Sequence, residues 1–331
     1  MTDTNTTAPP RVWLGKDLQV PVLGLGTMGM AEFYGPSDEE ESVATIHRAL
    51  ELGIDFIDTA YMYGGGRSER IVGKALAGTD RDAVTLATKC GLIRTPDNVR
   101  IDGSPAHIRH AIDESLTRLG TDHVDLYYLH RVDPDVPVEE SIGAMSELVA
   151  AGKVRYLGIS EAAEGTLRRA HATHPMTALQ SEFSLATREP EHKLLPVCEE
   201  LGIGFVAWGP LSRGLLTGTV READFGSDDV RSILPRFSGE VLESNVALVD
   251  KLAEVADGAG CSLSQLALAW TMAKGAVPIQ GAMNRAQLEE NVGAARLALS
   301  PDVLAAVDAV APEGAFEGPR FHAPMLNAVE K

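Results

Sequence analysis

The sequence predicts an α/β protein: a closed (β/α)8 barrel of the TIM type with an N-terminal β-hairpin and extra helices. Three observations carry this. Eight short apolar runs rich in β-forming residues alternate with helical patterns along the chain. No linker-like shift in composition interrupts the alternation, so a single barrel domain over 11–331 is expected after a disordered segment 1–10. Three of the runs end in an ionisable residue, Asp58, Lys89 and His130, as strands do at the C-terminal face of a barrel. A chain of 331 residues could also form two domains. The unbroken run of βα units favours closure over an open doubly wound sheet.

Val12 to Leu14 and Leu18 to Val20, joined by Gly15-Lys16-Asp17, read as the hairpin. Val22 to Thr27 is the first barrel strand, with glycines that allow close backbone approach. Its Gly24-Leu25-Gly26 lacks the third glycine of a dinucleotide fingerprint, and no helix opens at the turn. Ser37 to Leu52 is helical, with Ser37 as cap and Glu40 completing a capping box. Gly53 stops it, and the second strand ends in Asp58. A helix over 68–77, a strand from Ala83 to Lys89 and a helix from Ser104 to Gly120 follow. The fourth strand ends in His130. Val138 to Ala151 is a helix, and Val154 to Ile159 a strand ending in Ser160. Helix 164–172, strand 178–182, helix 190–201 and strand 203–208 continue the pattern. After a Gly/Asp/Arg-rich loop over 209–239 come helices 241–256 and 263–274, the eighth strand 276–279, and helices 285–295 and 301–310. No periodicity places the tail from Glu313 onward.

Composition narrows the function. A net charge of −18 argues against nucleic acid, because binding a polyanion needs a basic surface. No stretch approaches a membrane span, and the polar N-terminus has no signal-peptide core. Cys90, Cys198 and Cys261 form no metal or disulfide pattern, so a reducing, cytoplasmic location is expected. Cys90 follows Lys89 and is read as an inert thiol.

The strand ends carry the chemistry. Asp58, Lys89 and His130 close neighbouring strands, and Tyr63 stands on the loop after Asp58. An acid, an amine, an imidazole and a phenol therefore meet at one rim. A phenol with an ordinary pKa of about 10 is a reluctant acid, and a nearby ammonium is expected to lower it. Asp58 would hold Lys89 charged, and His130 would orient a carbonyl oxygen. The plainer reading is a buried Asp–Lys pair that satisfies itself, with Tyr63 and His130 merely packed.

The combination resembles the aldo-keto reductase superfamily over nearly the whole chain. The matching stretches are Asp58 to Gly64, Thr88-Lys89, Asp125 to His130, Gly158 to Ser160, Gln180, Gly209 to Gly214 and Glu290-Asn291. Tyr34 to Ser42 and the pair Ser160-Glu161 are closest in pattern to the branch that includes perakine reductase and similar bacterial proteins. The resemblance implies a hydride transfer from NADP(H) to an aldehyde or ketone, with Asp58, Tyr63, Lys89 and His130 catalytic and Tyr63 as general acid. It implies that Gly26, Thr27 and Met28 approach the nicotinamide ribose, and that Ser160 and Gln180 bond the carboxamide. Trp208 would replace the family's stacking tyrosine with another flat π surface. Leu211, Ser212, Arg213 and Gly214 would line the pyrophosphate. Gly281, Ala282, Gln287, Glu290 and Asn291 would surround the adenosine, beside a helix N-terminus that favours phosphate.

One position departs from the pattern. Met283 stands where relatives usually have the basic residue that clamps the 2′-phosphate. Arg285 and Arg213 are the substitutes at hand, so NADP(H) is expected and NAD(H) remains possible. The expected partner is a small carbonyl compound, with no nucleic acid, membrane or metal. Two rivals stand beside this reading: a nucleotide-binding, redox-sensing subunit with little turnover, and a metal hydrolase, for which no ligand cluster is visible.

Overall fold

The structure, a computed structural model, describes residues 8–95 and 99–322. In chain order the first half contains β1 (Arg11–Leu14), β2 (Leu18–Pro21), β3 (Gly24–Gly26), α1 (Glu39–Glu51), β4 (Phe56–Asp58), α2 (Arg67–Leu76), β5 (Thr85–Cys90), β6 (Leu92–Arg94), β7 (Val99–Ile101), α3 (Pro105–Leu119), β8 (Val124–Leu129) and α4 (Val138–Ala150). The second half contains β9 (Val154–Ser160), α5 (Glu164–Thr173), β10 (Ala178–Glu182), α6 (Pro190–Lys193), α7 (Leu195–Leu201), β11 (Gly204–Trp208), α8 (Gly239–Gly258), α9 (Leu263–Ala273), β12 (Val277–Gly281), α10 (Arg285–Val292) and α11 (Pro301–Val310). Strands β3, β4, β5, β8, β9, β10, β11 and β12 close a barrel in that order, all parallel. This is the expected (β/α)8 architecture.

The strands are buried on both faces because helices cover the outside and side chains fill the inside. In β8, Leu126 and Tyr128 point into the barrel, while Tyr127 and Leu129 pack under the helices. The interior is tight. A Cβ on Gly158 would lie 2.5 Å from the Tyr128 ring, so the bulk of one strand depends on the absence of a side chain on the next. The β1–β2 hairpin closes the N-terminal end, with Leu14, Leu18 and Val20 joining the interior cluster. Ala8 to Pro10, the end of the segment expected to be disordered, lie beside it. Pro9 is buried, and the Pro10 carbonyl accepts from Val22 N–H at 2.8 Å. Residues 1–7 are outside the described range.

Several boundaries differ from expectation. The cap of α1 is Asp38, whose side chain accepts from Glu41 N–H. Ser37 instead donates to the Met30 carbonyl at 2.7 Å, tying the loop back on itself. The helix expected over 190–201 breaks at Leu194 into α6 and α7. Pro196 explains the break: it has no N–H, and its ring crowds the carbonyl four residues earlier. β5 runs one residue past Lys89 to Cys90, and β8 stops at Leu129, just before His130. The antiparallel pair β6–β7 follows β5 unannounced; residues 96–98 between the two strands lie outside the described range.

After α11 the tail returns to the C-terminal rim. Asn245 on α8 holds it through the Glu317 N–H and carbonyl, at 2.8 and 3.1 Å, and Phe316 and Phe321 are buried. Among the described residues no helix is long and apolar enough to cross a membrane.

Candidate active site

Backbone pairing carries each of the four rim residues to its place. Asp58 ends β4. The chain beyond it keeps bonding to β5, with Thr59 N–H to the Ala87 carbonyl at 2.9 Å and Tyr61 N–H to the Lys89 carbonyl at 3.0 Å. That pairing delivers Tyr63 above Lys89. Gly64, Gly65 and Gly66 then turn the chain into α2 with φ of 56°, 59° and 83°, a run that side-chain-bearing residues rarely adopt. His130 N–H bonds the Cys90 carbonyl at 2.8 Å, which keeps His130 in step with β5 although β8 has ended.

All four side chains are buried. The Lys89 ammonium donates to Asp58 Oδ1, to the Thr59 carbonyl at 2.8 Å and to the Tyr63 hydroxyl at 3.4 Å. Gln180 Nε2 donates to the other Asp58 oxygen at 2.9 Å. The Tyr63 and His130 rings meet edge to face, with centroids 5.8 Å apart. Below them, Thr27, Thr59 and Ser68 share a hydroxyl cluster, with Oγ separations of 2.7 and 2.8 Å, and Thr27 also donates to the Asp58 carbonyl.

Burial works against the Lys89 ammonium, but Asp58 and Tyr63 more than offset it, so lysine is held charged above its ordinary value. The phenol differs from expectation. Burial pushes the Tyr63 pKa up, and Lys89 reverses this only in part. Tyr63 therefore keeps its proton at neutral pH, with an ammonium in place to stabilise the phenolate as it forms. Burial, then Arg131 and Lys89, push His130 well below 6.5, so its imidazole is neutral. Its Nδ1 is sealed in without a partner, so Nε2 is the ring nitrogen left open to a ligand. Burial raises the Cys90 thiol to about 12, in keeping with an inert cysteine.

Beside this group lies a cluster of charges on the rim of β9 to β11. Glu161 follows Ser160 in a left-handed conformation, φ 55°. Its Oε1 accepts from Trp208 Nε1 at 2.8 Å, Glu182 N–H at 2.8 Å, Ser181 Oγ at 3.2 Å and Arg320 Nη1 at 3.0 Å, while Oε2 accepts from Arg320 Nη2 at 2.6 Å. Burial raises the carboxyl, but Arg320 and Arg131 more than reverse that and hold it at about 2. Arg131 and Arg320 went unremarked in the sequence. Arg131 was findable, since it directly follows His130. Arg320 carries no local signal, because its partner lies 159 residues away.

The structure sorts the expected cofactor residues into three groups. Gln180 joins the Asp58–Lys89–Tyr63 group directly, and Ser160 is linked to His130 through Arg131. Trp208, Leu211, Ser212, Arg213 and Gly214 form a second group. Ser212, Arg213 and Gly214 have φ of 46°, 55° and 91°, and the Arg213 guanidinium lies 5.3 Å from both the Trp208 and Phe321 ring centroids. No carboxylate pairs with Arg213 among the described residues, which leaves its guanidinium to the two rings. Gly281, Ala282, Gln287, Glu290 and Asn291 line the end of β12 and α10. There Gln287 accepts from Met283 N–H at 2.8 Å, and Asn291 donates to Gln280 at 2.8 Å. Gly26 and Met28 are half-buried at the end of β3, whereas the Thr27 side chain is fully buried and bonded inward. Arg285, offered as a substitute for the basic residue missing at Met283, is clamped by Glu41 through Nε at 3.2 Å and Nη2 at 3.0 Å.

Known proteins share this fold. Residues 22–312 match the model of the Aldo/keto reductase family. A glycerol dehydrogenase from Gluconobacter oxydans superposes with a TM-score of 0.83 at 32% identity, covering 93% of this chain and 95% of that one. The holo form of an aldo-keto reductase from Bacillus halodurans gives 0.77 at 29% identity, covering 93% and 100%. A thermostable aldo-keto reductase in complex with the inhibitor epalrestat gives 0.73 at 30% identity, covering 91% and 99%.

Proposed function

The chain belongs to the aldo/keto reductase family, and from that membership we propose that it reduces an aldehyde or ketone to an alcohol with NADP(H), Tyr63 acting as the general acid. The family's enzymes are nicotinamide-dependent carbonyl oxidoreductases. The observation that carries the finer reading is the contact of Lys89 with both the Asp58 carboxylate and the Tyr63 hydroxyl in a buried pocket. A protonated phenol beside a fixed ammonium is suited to give up its proton only as negative charge builds on a carbonyl oxygen. The neutral His130, with Nε2 as donor, offers that oxygen its second hydrogen bond. Asp58, held by Gln180 as well, keeps the ammonium from drifting away from the phenol.

When bound, the nicotinamide supplies the hydride. Ser160 and the free oxygen of Gln180 would hold its carboxamide, Trp208 its ring, and Arg213 with the turn around it the pyrophosphate. The preference for NADP(H) rests on fewer charges than the family pattern provides, since Met283 is uncharged and Arg285 is engaged by Glu41. The three cysteines are unpaired, in keeping with a cytoplasmic setting.

Loss of reduced-nicotinamide absorbance, followed with NADPH and with NADH against a panel of aldehydes and ketones, tests the reading. Glycerol with each oxidised cofactor extends the panel to the activity named for the Gluconobacter relative. Turnover that is faster with NADPH than with NADH is expected. Cofactor binding without turnover of any carbonyl or alcohol would refute it.

A further inference from the structure

We infer that Arg131 is a specificity-determining residue that selects carbonyl substrates bearing a carboxylate. The inference rests on the carbonyl-reductase reading above and names the substrate class of that same site.

Arg131 follows His130 at the rim, half-buried. Its Nη1 donates to the His130 carbonyl at 2.7 Å and to Ser160 Oγ at 3.3 Å. Those two bonds fix the guanidinium between the residue proposed to orient the carbonyl and the residue proposed to hold the carboxamide. Nε and Nη2 make no hydrogen bond among the described residues, and neither is sealed away from solvent. These two N–H groups lie on the same edge of the guanidinium. They form the side-on pair that matches the two oxygens of one carboxylate.

No carboxylate of the protein fills that role. Arg320 and Arg236 on the same rim have acidic neighbours in Glu161 and Glu182. Arg131 forms no ion pair within 4.0 Å among the described residues. The fields of Glu161 and, more weakly, Glu182 reach it, but neither bonds it, and both Glu161 oxygens are already taken, Oε1 by four donors and Oε2 by Arg320. Burial holds the Arg131 guanidinium below its ordinary pKa, a sign that its charge is poorly compensated. A guanidinium stays charged regardless. A protein of net charge −18 thus leaves one cation without a bonded carboxylate beside the Tyr63–His130 pair. A half-buried cation without a counter-ion is costly unless a ligand supplies one.

The test compares kcat/KM for acids and their neutral esters: glyoxylic acid, succinic semialdehyde and terephthalaldehydic acid, each against its methyl ester. The wild-type protein should prefer at least one acid over its ester by about tenfold or more, mainly through KM, as expected for a charge-assisted pair of hydrogen bonds. Arg131→Met should bring the ratio to about one, whatever happens to the absolute rates. Arg131→Lys keeps the charge but loses the fork, so its ratio should fall between the two. An equal ratio for wild type and Arg131→Lys would overturn the fork even if Arg131→Met did not fold. Esters turned over as well as acids by the wild type, or a preference that survives Arg131→Met, would overturn the inference while leaving carbonyl reduction standing. Absence of turnover with these acids and esters, when other carbonyls are reduced, would overturn the inference alone; absence with every carbonyl would overturn both.

Discussion

Tyr63 and Lys89 set the chemistry at the scale of single residues. The phenol holds its proton because burial outweighs the neighbouring ammonium, and Lys89 is placed to stabilise the phenolate. Tyr63→Phe keeps the ring and its edge contact with His130 while removing the proton. It is expected to lower kcat by about 10²- to 10⁴-fold, the usual worth of a positioned general acid, with cofactor affinity nearly unchanged. Near-normal turnover would remove Tyr63 from the role. Lys89→Met should also lose most activity, but it leaves the Asp58 carboxylate buried without its counter-ion, at a cost of about 3–5 kcal/mol. Adding Asp58→Asn should return much of that stability and none of the activity. Thermal melts and rates on the two single variants and the double variant separate the structural from the chemical role.

Caps and helix ends decide matters at the scale of the element. Asp38 rather than Ser37 satisfies the first turn of α1. Asp38→Ala should cost about 1 kcal/mol and speed amide exchange at Glu41, whereas Ser37→Ala should leave that exchange alone. Slowed exchange or no change in the Asp38 variant would count against the cap. The start of α10 bears on cofactor choice. Met283 is uncharged, and Glu41 on α1 clamps Arg285 from 244 residues away. Met283→Arg should tighten NADPH by about tenfold, or about 1.4 kcal/mol, and scarcely affect NADH. Titration of both cofactors checks this. Equal tightening of both, or of neither, would mean that position 283 does not face the 2′-phosphate.

The whole molecule is joined at its rim by Glu161. This carboxylate connects β9 to β10, β11 and the C-terminal tail through Glu182 N–H, Trp208 and Arg320. Its folded pKa of about 2 lies below the ordinary value of 4.5. A depressed carboxyl pKa contributes stability that is fully present above the unfolded value. That stability is lost as pH falls from about 4.5 through about 2. Unfolding free energy should therefore decline across this acid window, and Glu161→Gln should flatten the decline. A denaturant series at several pH values reads this directly, and an unaltered slope in the variant would exclude Glu161 as a source. His130 adds a second acid sensitivity. Its neutral form is favoured by burial, so stability also falls as pH drops below about 6.5.

Local patterns determined the barrel and its four rim residues. Apolar runs of strand length, glycine helix stops and turn residues are short-range signals, and a parallel barrel sends every strand end to the same face. That is why Asp58, Lys89 and His130 could be placed together from their positions at the ends of runs, and Tyr63 from the glycines that follow it. Where a competing local effect intervened, the reading slipped: Pro196 broke a helix that periodicity had joined, and Asp38 displaced Ser37 as cap. Only the tertiary structure decided the charges. Whether Lys89 or burial prevails at Tyr63 depends on how much solvent the packed rim excludes. Whether Arg285 is free depends on Glu41, and whether Glu161 is compensated depends on Arg320. The same holds for Arg131, whose unmatched edge becomes visible only when every other acid at the rim has found its partner. Electrostatic balance is set by groups close in space and remote in sequence, and no local pattern in the chain carries it.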